Sequence, residues 1–263
     1  MFPFTGVRRI YQFLIVYSAG VGSLLLLKQL LGLSDYVIPG VPLIFETARA
    51  TVNGYFFDVL NTLSVAVLGQ IISIVLAFSV GIAGRKSSWI GSFIKMTAYN
   101  IQAYPIVALA PIIFILLGDG FGPRLLIASM ICYFPLLLSV LGVMSAPVKD
   151  IEHFYIVTGR MRWQLEVKIR AFENLSKLTT VISGSATLAM AGAIVAEFIA
   201  ANAGIGYSIR IALYQSDLAK ILVALFMIGI IISLYQGVLE SCSEKVKAAW
   251  AISEDSLGCF GKE

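Results

Sequence analysis

Six stretches of this chain, residues 10–33, 60–84, 93–117, 125–143, 178–200 and 221–239, are apolar over the length of a membrane span. Crossing a bilayer core takes about 20 mostly apolar residues in a helix. Backbone groups in lipid must be satisfied within the segment, and the alternating pattern of barrel strands is missing from these stretches. The predicted fold class is therefore an all-α membrane protein with six transmembrane helices. Composition agrees: 59% of the residues are hydrophobic and 13% charged, against about 45–50% and about 25% in ordinary soluble domains. A core of this size cannot absorb that excess. MFPFTGVRRI and the apolar run after it have the outline of a signal peptide. The run at 11–33 is too long for one and lacks a small-residue cleavage site, so it reads as a retained first span.

The connections differ in kind. Between spans 1 and 2, Pro39, Gly40 and Pro42 break the chain, and the residues up to Asp58 read as an amphipathic helix lying on the membrane surface. GRKSSW is a short basic turn, and GDGFGPR a tight glycine-rich loop. ANAGIGYSIRIALYQSDLAK joins spans 5 and 6, and the end of the chain is polar and reads as a mobile tail. Spans 4 and 5 are separated by 147–177, PVKDIEHFYIVTGRMRWQLEVKIRAFENLSK, a long basic segment with helical periodicity. Lys and Arg concentrate in cytoplasmic loops. A cytoplasmic N-terminus puts Arg8, Arg9, Arg85, Lys86, Lys149, Arg160, Arg162, Lys168, Arg170, Lys177, Lys245, Lys247 and Lys262 inside. Only Lys28, Arg49, Arg124, Arg210 and Lys220 then lie outside, with Lys95 at the entrance to span 3. The count places both termini and segment 147–177 in the cytoplasm. The expected organisation is a cytoplasmic N-terminus at 1–9, a transmembrane domain at 10–239 and a cytoplasmic tail at 240–263.

Within 147–177 the apolar residues Ile151, Phe154 and Tyr155, then Met161, Trp163, Leu165 and Ile169, suggest two short helices turning at Gly159. Such a pair can enter a groove on a partner; the alternative is a basic loop against anionic lipid. Asn100, Gln102 and Tyr104 precede Pro105 in span 3. Polar groups and prolines at bilayer depth are tolerated where they line protein or a water-filled path, so they are candidates for the translocation pathway, the alternative being helix–helix glue. Glu197 is an intramembrane carboxylate, a functional candidate by default. It can line the pathway or serve as a hydrogen-bond partner for the backbone of the glycine loop after it, the reading we favour. The Gly118/Gly120/Gly122 set and the Gly204/Gly206 pair read as tight turns or a re-entrant dip, since a phosphate loop needs a preceding strand. Ala189, Ala191, Gly192, Ala193 and Ala196 give span 5 a small face suited to close packing, expected at or near a dimer interface. Three cysteines without ligand-like spacing and one histidine offer no metal centre, cofactor site or catalytic set. No GxxxxGK[ST] is present, so ATP hydrolysis would belong to a separate chain. The net charge of +4 is explained by the basic loops and implies no nucleic acid.

From 37 to about 250 the chain resembles the inner-membrane permease subunits of binding-protein-dependent ABC importers of the type I-like fold. The similarity is greatest to the branch importing sulfonates, taurine, nitrate, bicarbonate and thiamine- or riboflavin-type molecules. IPGVPLIFETA, NTLSVAVLGQIISIVLAFSVGIAGRKS, NIQAYPIVALAPIIFILLGDGFGPRLLIA, GRMRWQLEVKI and AGAIVAEFIAANAGIGYSI carry it, in the family's order. The resemblance makes 147–177 a cytoplasmic helix–turn–helix coupling loop for the ATPase, with His153, Gly159, Arg160, Arg162 and Trp163 as its candidate contacts. Gly159 and Trp163 keep the family's places. His153-Phe154-Tyr155 stands where the family has Glu-Ala-Ala, and Ala171-Phe172 where it has Leu-Pro. Loss of that proline restores a backbone N–H, so the second helix is expected to run longer. The resemblance further implies a homodimer in the inner membrane, driven by two ATP-binding subunits and supplied by an extracytoplasmic solute-binding protein, importing a small polar or anionic solute. The alternative is an ion-coupled secondary transporter, which usually shows inverted repeats and buried charges. An intramembrane enzyme would need a catalytic pair that the spans do not offer.

Overall fold

Helix boundaries follow from a few local residues. The computed structural model describes residues 4–145 and 163–258. Helix α1 runs Phe4–Leu31 and ends at Gly32, where φ is +60° and Leu33 N–H reaches back to the Lys28 carbonyl, a glycine stop that satisfies the last carbonyls. Helix α2, Val41–Gly84, is continuous over 44 residues. The surface helix expected at its start is instead the first part of this one helix. Pro42 sits in the first turn, where a missing N–H costs nothing, and no further proline follows it within the helix. At 1.5 Å per residue α2 is about 66 Å long, twice the thickness of the hydrocarbon core, so it extends well beyond the membrane or tilts strongly.

Span 3 is broken. Helix α3, Ser88–Ala103, and helix α4, Ile106–Leu117, meet at an 84° bend. Tyr104 is extended, with ψ 133°, the conformation a residue before proline is driven to. Helix α5, Phe121–Ser145, follows a three-residue turn. Beyond 162, α6 covers Trp163–Glu173 and α7 Leu175–Ile199, interrupted at Asn174 alone. With no proline to stop it, α6 does run almost into the span. The loop between spans 5 and 6 contains a further helix, α8, Ile205–Tyr214. Helix α9, Leu218–Gly258, begins behind Asp217, whose side chain caps the Lys220 N–H, and continues through most of the polar tail. Among the described residues, five helices have the length and apolarity of a span, or six with α3 and α4 counted as one.

The centre of the bundle is α2, α5 and α7, packed pairwise. Small residues set the spacing: a Cβ on Gly192 of α7 would lie 3.0 Å from the Ala128 Cα of α5, and one on Gly69 of α2 would lie 3.3 Å from Ala128 Cβ. Ala189, Ala193 and Ala196 are fully buried on the same face. Ala189, Gly192, Ala193 and Ala196 of the small face of span 5 are thus buried within the chain, Gly192 directly against α5, while Ala191 is exposed. Close approach between membrane helices comes from van der Waals packing of small residues, and that packing already has its partner here. Polar side chains pin the same centre. Gln70 donates to the Ile182 carbonyl (2.8 Å) and Ser185 hydroxyl (2.9 Å) and accepts from Tyr235, which ties α2 to α7 and α9. Helix α1 packs only on α9 among its principal contacts, through Phe13, Tyr17 and Phe226 and an Arg9–Glu240 ion pair.

Candidate functional site

Three places carry the polar groups that a membrane bundle this apolar would otherwise lack. The first is at the end where α2 meets α6. Arg85 follows the last residue of α2 and donates to Glu166 through Nε (3.0 Å) and a terminal nitrogen; Arg170, one turn along α6, also donates to it (3.0 Å). Glu166 and Arg170 are buried. Burial pushes the Glu166 carboxyl up, but hydrogen bonds and charge from Arg85 and Arg170 outweigh it and hold the group below its usual range. The helix that ends segment 147–177 is therefore pinned to the α2–α3 turn. His153, Gly159, Arg160 and Arg162 lie outside the described residues, as does the expected turn at Gly159; Trp163 is placed at the first position of α6.

The second place is the α3–α4 break. Asn100, Gln102 and Tyr104 are all exposed at the end of α3, which packs on α5 and α2. Side chains such as these are tolerated at bilayer depth where they meet water or protein. A feature that the sequence reading missed belongs with them. On α7, Lys177, Thr180, Gly184, Thr187 and Ala191 are exposed and recur every three or four residues, so they form one stripe. At 3.6 residues per turn the stripe lies opposite the face formed by Ala189, Ala193 and Ala196. A lipid-facing stripe would be rich in Leu and Ile; this one is small and polar. The spacing was visible in the sequence, but only the packing of the other face tells which side is free. Within a single chain the stripe and Asn100, Gln102 and Tyr104 stand on separate helices and are not brought into one cluster.

The third place is at the opposite end of α7. Glu197 has no solvent exposure. Its Oε2 accepts from the Gly206 N–H (3.1 Å) and lies 2.7 Å from the Thr62 hydroxyl, and its Oε1 pairs with Arg124 Nη1 at 3.3 Å. Thr62 in turn accepts the Ile205 N–H (3.0 Å). Gly204 and Gly206 are both required by the close approach of α7 around Glu197. Gly204 has φ +92°, and a Cβ there would overlap the Glu197 carboxylate; a Cβ on Gly206 would lie 2.7 Å from Glu197 Cβ and closer still to the Ile194 carbonyl. Glu197 thus sits in a closed knot of α2, α5, α7 and α8. Arg124, read from the sequence as a loop cation, is buried in this knot.

These features define a multi-pass helical membrane protein with one span sharply broken and a polar face on its central helix. Residues 73–240 match the family described as binding-protein-dependent transport system inner membrane component, and the chain belongs to that family. It is 34% identical over 167 residues to the riboflavin transport system permease protein RibX of Chloroflexus aurantiacus, a match covering 63% of this chain and 61% of that protein. It is 21% identical over 197 residues to the formylaminopyrimidine transport permease protein ThiX of Halalkalibacterium halodurans, covering 74% and 79%. With the trimethylamine N-oxide transport system permease protein TmoV of Pelagibacter ubique it shares 25% identity over 242 residues, 81% of this chain but 32% of that one. The chain therefore spans less than two thirds of the first and last of these relatives.

Proposed function

We propose that this chain is the permease subunit of an ABC importer. Two copies form the pathway for a small polar or anionic solute, a separate ATP-binding subunit drives it, and an extracytoplasmic solute-binding protein supplies it. The observation that carries this reading is the family match over 73–240, which takes in the broken span, segment 147–177 and the Glu197 loop. The relatives named for riboflavin and formylaminopyrimidine transport favour a nitrogen heterocycle as the solute. Orientation with both termini in the cytoplasm is supported by the distribution of Lys and Arg, thirteen at the end assigned inside against five at the end assigned outside, which is the asymmetry that the positive-inside rule reads.

In this reading Asn100, Gln102 and Tyr104, with the stripe of α7, line the pathway once a second copy stands opposite, while Glu197 supports the loop beside it. Segment 147–177 is the lever on which the ATPase acts, through His153, Gly159, Arg160, Arg162 and Trp163. Co-purification from native membranes tests the whole: a stoichiometric ATP-binding subunit is expected, and uptake into proteoliposomes that persists without ATP would sink the reading in favour of an ion-coupled transporter. Gly159→Trp is expected to abolish ATPase recovery or ATP-driven uptake while insertion is normal. Unchanged recovery and uptake would remove 147–177 from the coupling role. For the pathway, Gly184→Phe is the sharper variant. Gly184 is exposed and a Cβ there meets nothing within 4 Å, so the side chain starts out from the surface of the chain, and uptake should fall at least tenfold with thermal stability unchanged. Wild-type uptake would place the α7 stripe outside the pathway.

A further inference from the structure

Between α2, α6 and α7, at the end of the bundle that holds Arg85, lies a groove of about 630 Å³, bordered by Phe78, Lys168, Ala171, Leu175, Thr179 and Ile182. Its walls are apolar apart from two side chains. The Thr179 hydroxyl already donates to the Ser176 carbonyl (3.0 Å). Lys168 is exposed and has no ion-pair partner among the described residues. We propose that this groove is a binding site for an anionic phospholipid, with an acyl chain against Phe78, Leu175 and Ile182 and the headgroup phosphate on Lys168.

The placement supports this occupant over others. Leu175, Thr179 and Ile182 lie on the face of α7 opposite the polar stripe, by the helical repeat, so the groove opens away from the surface assigned to the pathway. On α2, Phe78 shares a face with Ile71 and Val75, both exposed and apolar, and such a face belongs to lipid. Lys168 is on the short helix α6, seven residues before the first residue of α7. A basic residue over an apolar cleft between spans at a cytoplasmic boundary is the chemistry that holds an acidic headgroup. A zwitterionic lipid would fill the apolar part equally well but gain nothing at Lys168, so the site should select by headgroup charge.

Native mass spectrometry of the full chain in mild detergent, offered equal phosphatidylglycerol and phosphatidylcholine with the same acyl chains, reads that selection. The wild-type chain is expected to retain one phosphatidylglycerol with a preference of roughly fivefold, the size of one lysine's attraction to an anionic lipid surface. Lys168→Gln should bring the ratio close to one. Lys86→Gln, which removes an exposed charge at the same end, should leave it unchanged. Thr179→Trp, which fills the groove, should remove both lipids while helicity and monodispersity are kept. No headgroup preference in the wild-type chain, or equal loss in the Lys168 and Lys86 variants, would overturn the site by reducing it to diffuse surface charge. A Thr179→Trp chain that keeps its lipid but no longer pairs with its copy would overturn it by assigning the groove to a second chain.

Discussion

The Glu197→Ala chain should lose about 3 kcal/mol or more of stability, the penalty for removing one partner of a buried ion pair, read as a large drop in thermal unfolding temperature in detergent. Arg124 is 6% exposed and Glu197 not at all, so the cation left behind cannot turn to water. Arg124 does keep weaker acceptors, the Gly120 carbonyl at 3.1 Å and Asn61 Oδ1 at 3.4 Å, which holds the loss near the low end of the 3–5 kcal/mol range for such deletions. Two backbone links fail with the carboxylate: the Gly206 N–H loses its acceptor directly, and Thr62, which takes the Ile205 N–H, loses a neighbour. Glu197→Gln keeps an acceptor for Gly206 and should recover part of the loss. Arg124→Gln combined with Glu197→Gln should be less harmful than the two effects added, with a coupling of about 0.5–3 kcal/mol. Gly204→Ala should resemble Glu197→Ala, because φ +92° is strained for alanine and its methyl would overlap the carboxylate. A Glu197→Ala chain that melts with the wild type would mean that the knot contributes nothing to holding α8 on the bundle.

What could be read from the sequence about this knot, and what could not, separates along a physical line. Glu197 and Gly206 are nine residues apart, and a carboxylate next to a glycine loop is a local pattern, so their partnership was legible. Arg124 is 73 residues from Glu197; counting charges by loop assigned it to the outer surface, because charge counting carries no information about long-range partners. The same limit applies to the small face of span 5. Alanines and a glycine at helical spacing announce close approach without naming the neighbour, and the neighbour turned out to be Ala128 of the same chain. Pro105 marked a weak point in span 3, yet the 84° turn depends on Tyr104 being held extended and on α4 having a place to pack against α5. Pro39, Gly40 and Pro42 misled in the opposite direction. They end α1's connection, but a proline in the first turn of a helix starts it as well as a break would, and α2 then runs on into the membrane. Spans were legible because length and apolarity are properties of one segment. The polar stripe of α7 was not, since a helix shows its free side only after the other side has been packed.

Glu166→Gln should free α6 from the body of the bundle, and this is the second large effect expected. Glu166 is 5% exposed and takes hydrogen bonds from Arg85 at the end of α2 and from Arg170 on its own helix. Neutralising it removes both ion pairs, to Arg85 and to Arg170, and leaves Arg170 buried beside an amide. Local openings set hydrogen exchange where a segment has few packing contacts, so exchange across Trp163–Glu173 should quicken by roughly tenfold or more, a loss of one charge-assisted bond, while the core of α2, α5 and α7 keeps its protection. If α6 is the part of the lever nearest the membrane, ATP-driven uptake should fall with it although the transporter stays assembled. The pH dependence has a definite sign. The folded-state pKa of Glu166 lies below its unfolded value, so its contribution is complete above the ordinary carboxylate range, about 4.3, and fades as pH falls through the lower folded value. Between pH 6 and 8 the wild-type protection of α6 should therefore be flat once intrinsic exchange is corrected. Below about pH 4 it should decline, and in Glu166→Gln that acid decline should be missing because the tie is already gone. Exchange in Glu166→Gln that matches the wild type at pH 7 would show that α6 is held to the α2–α3 turn by other contacts, and the coupling force would then have to reach the bundle by the direct junction of α6 with α7 at Asn174.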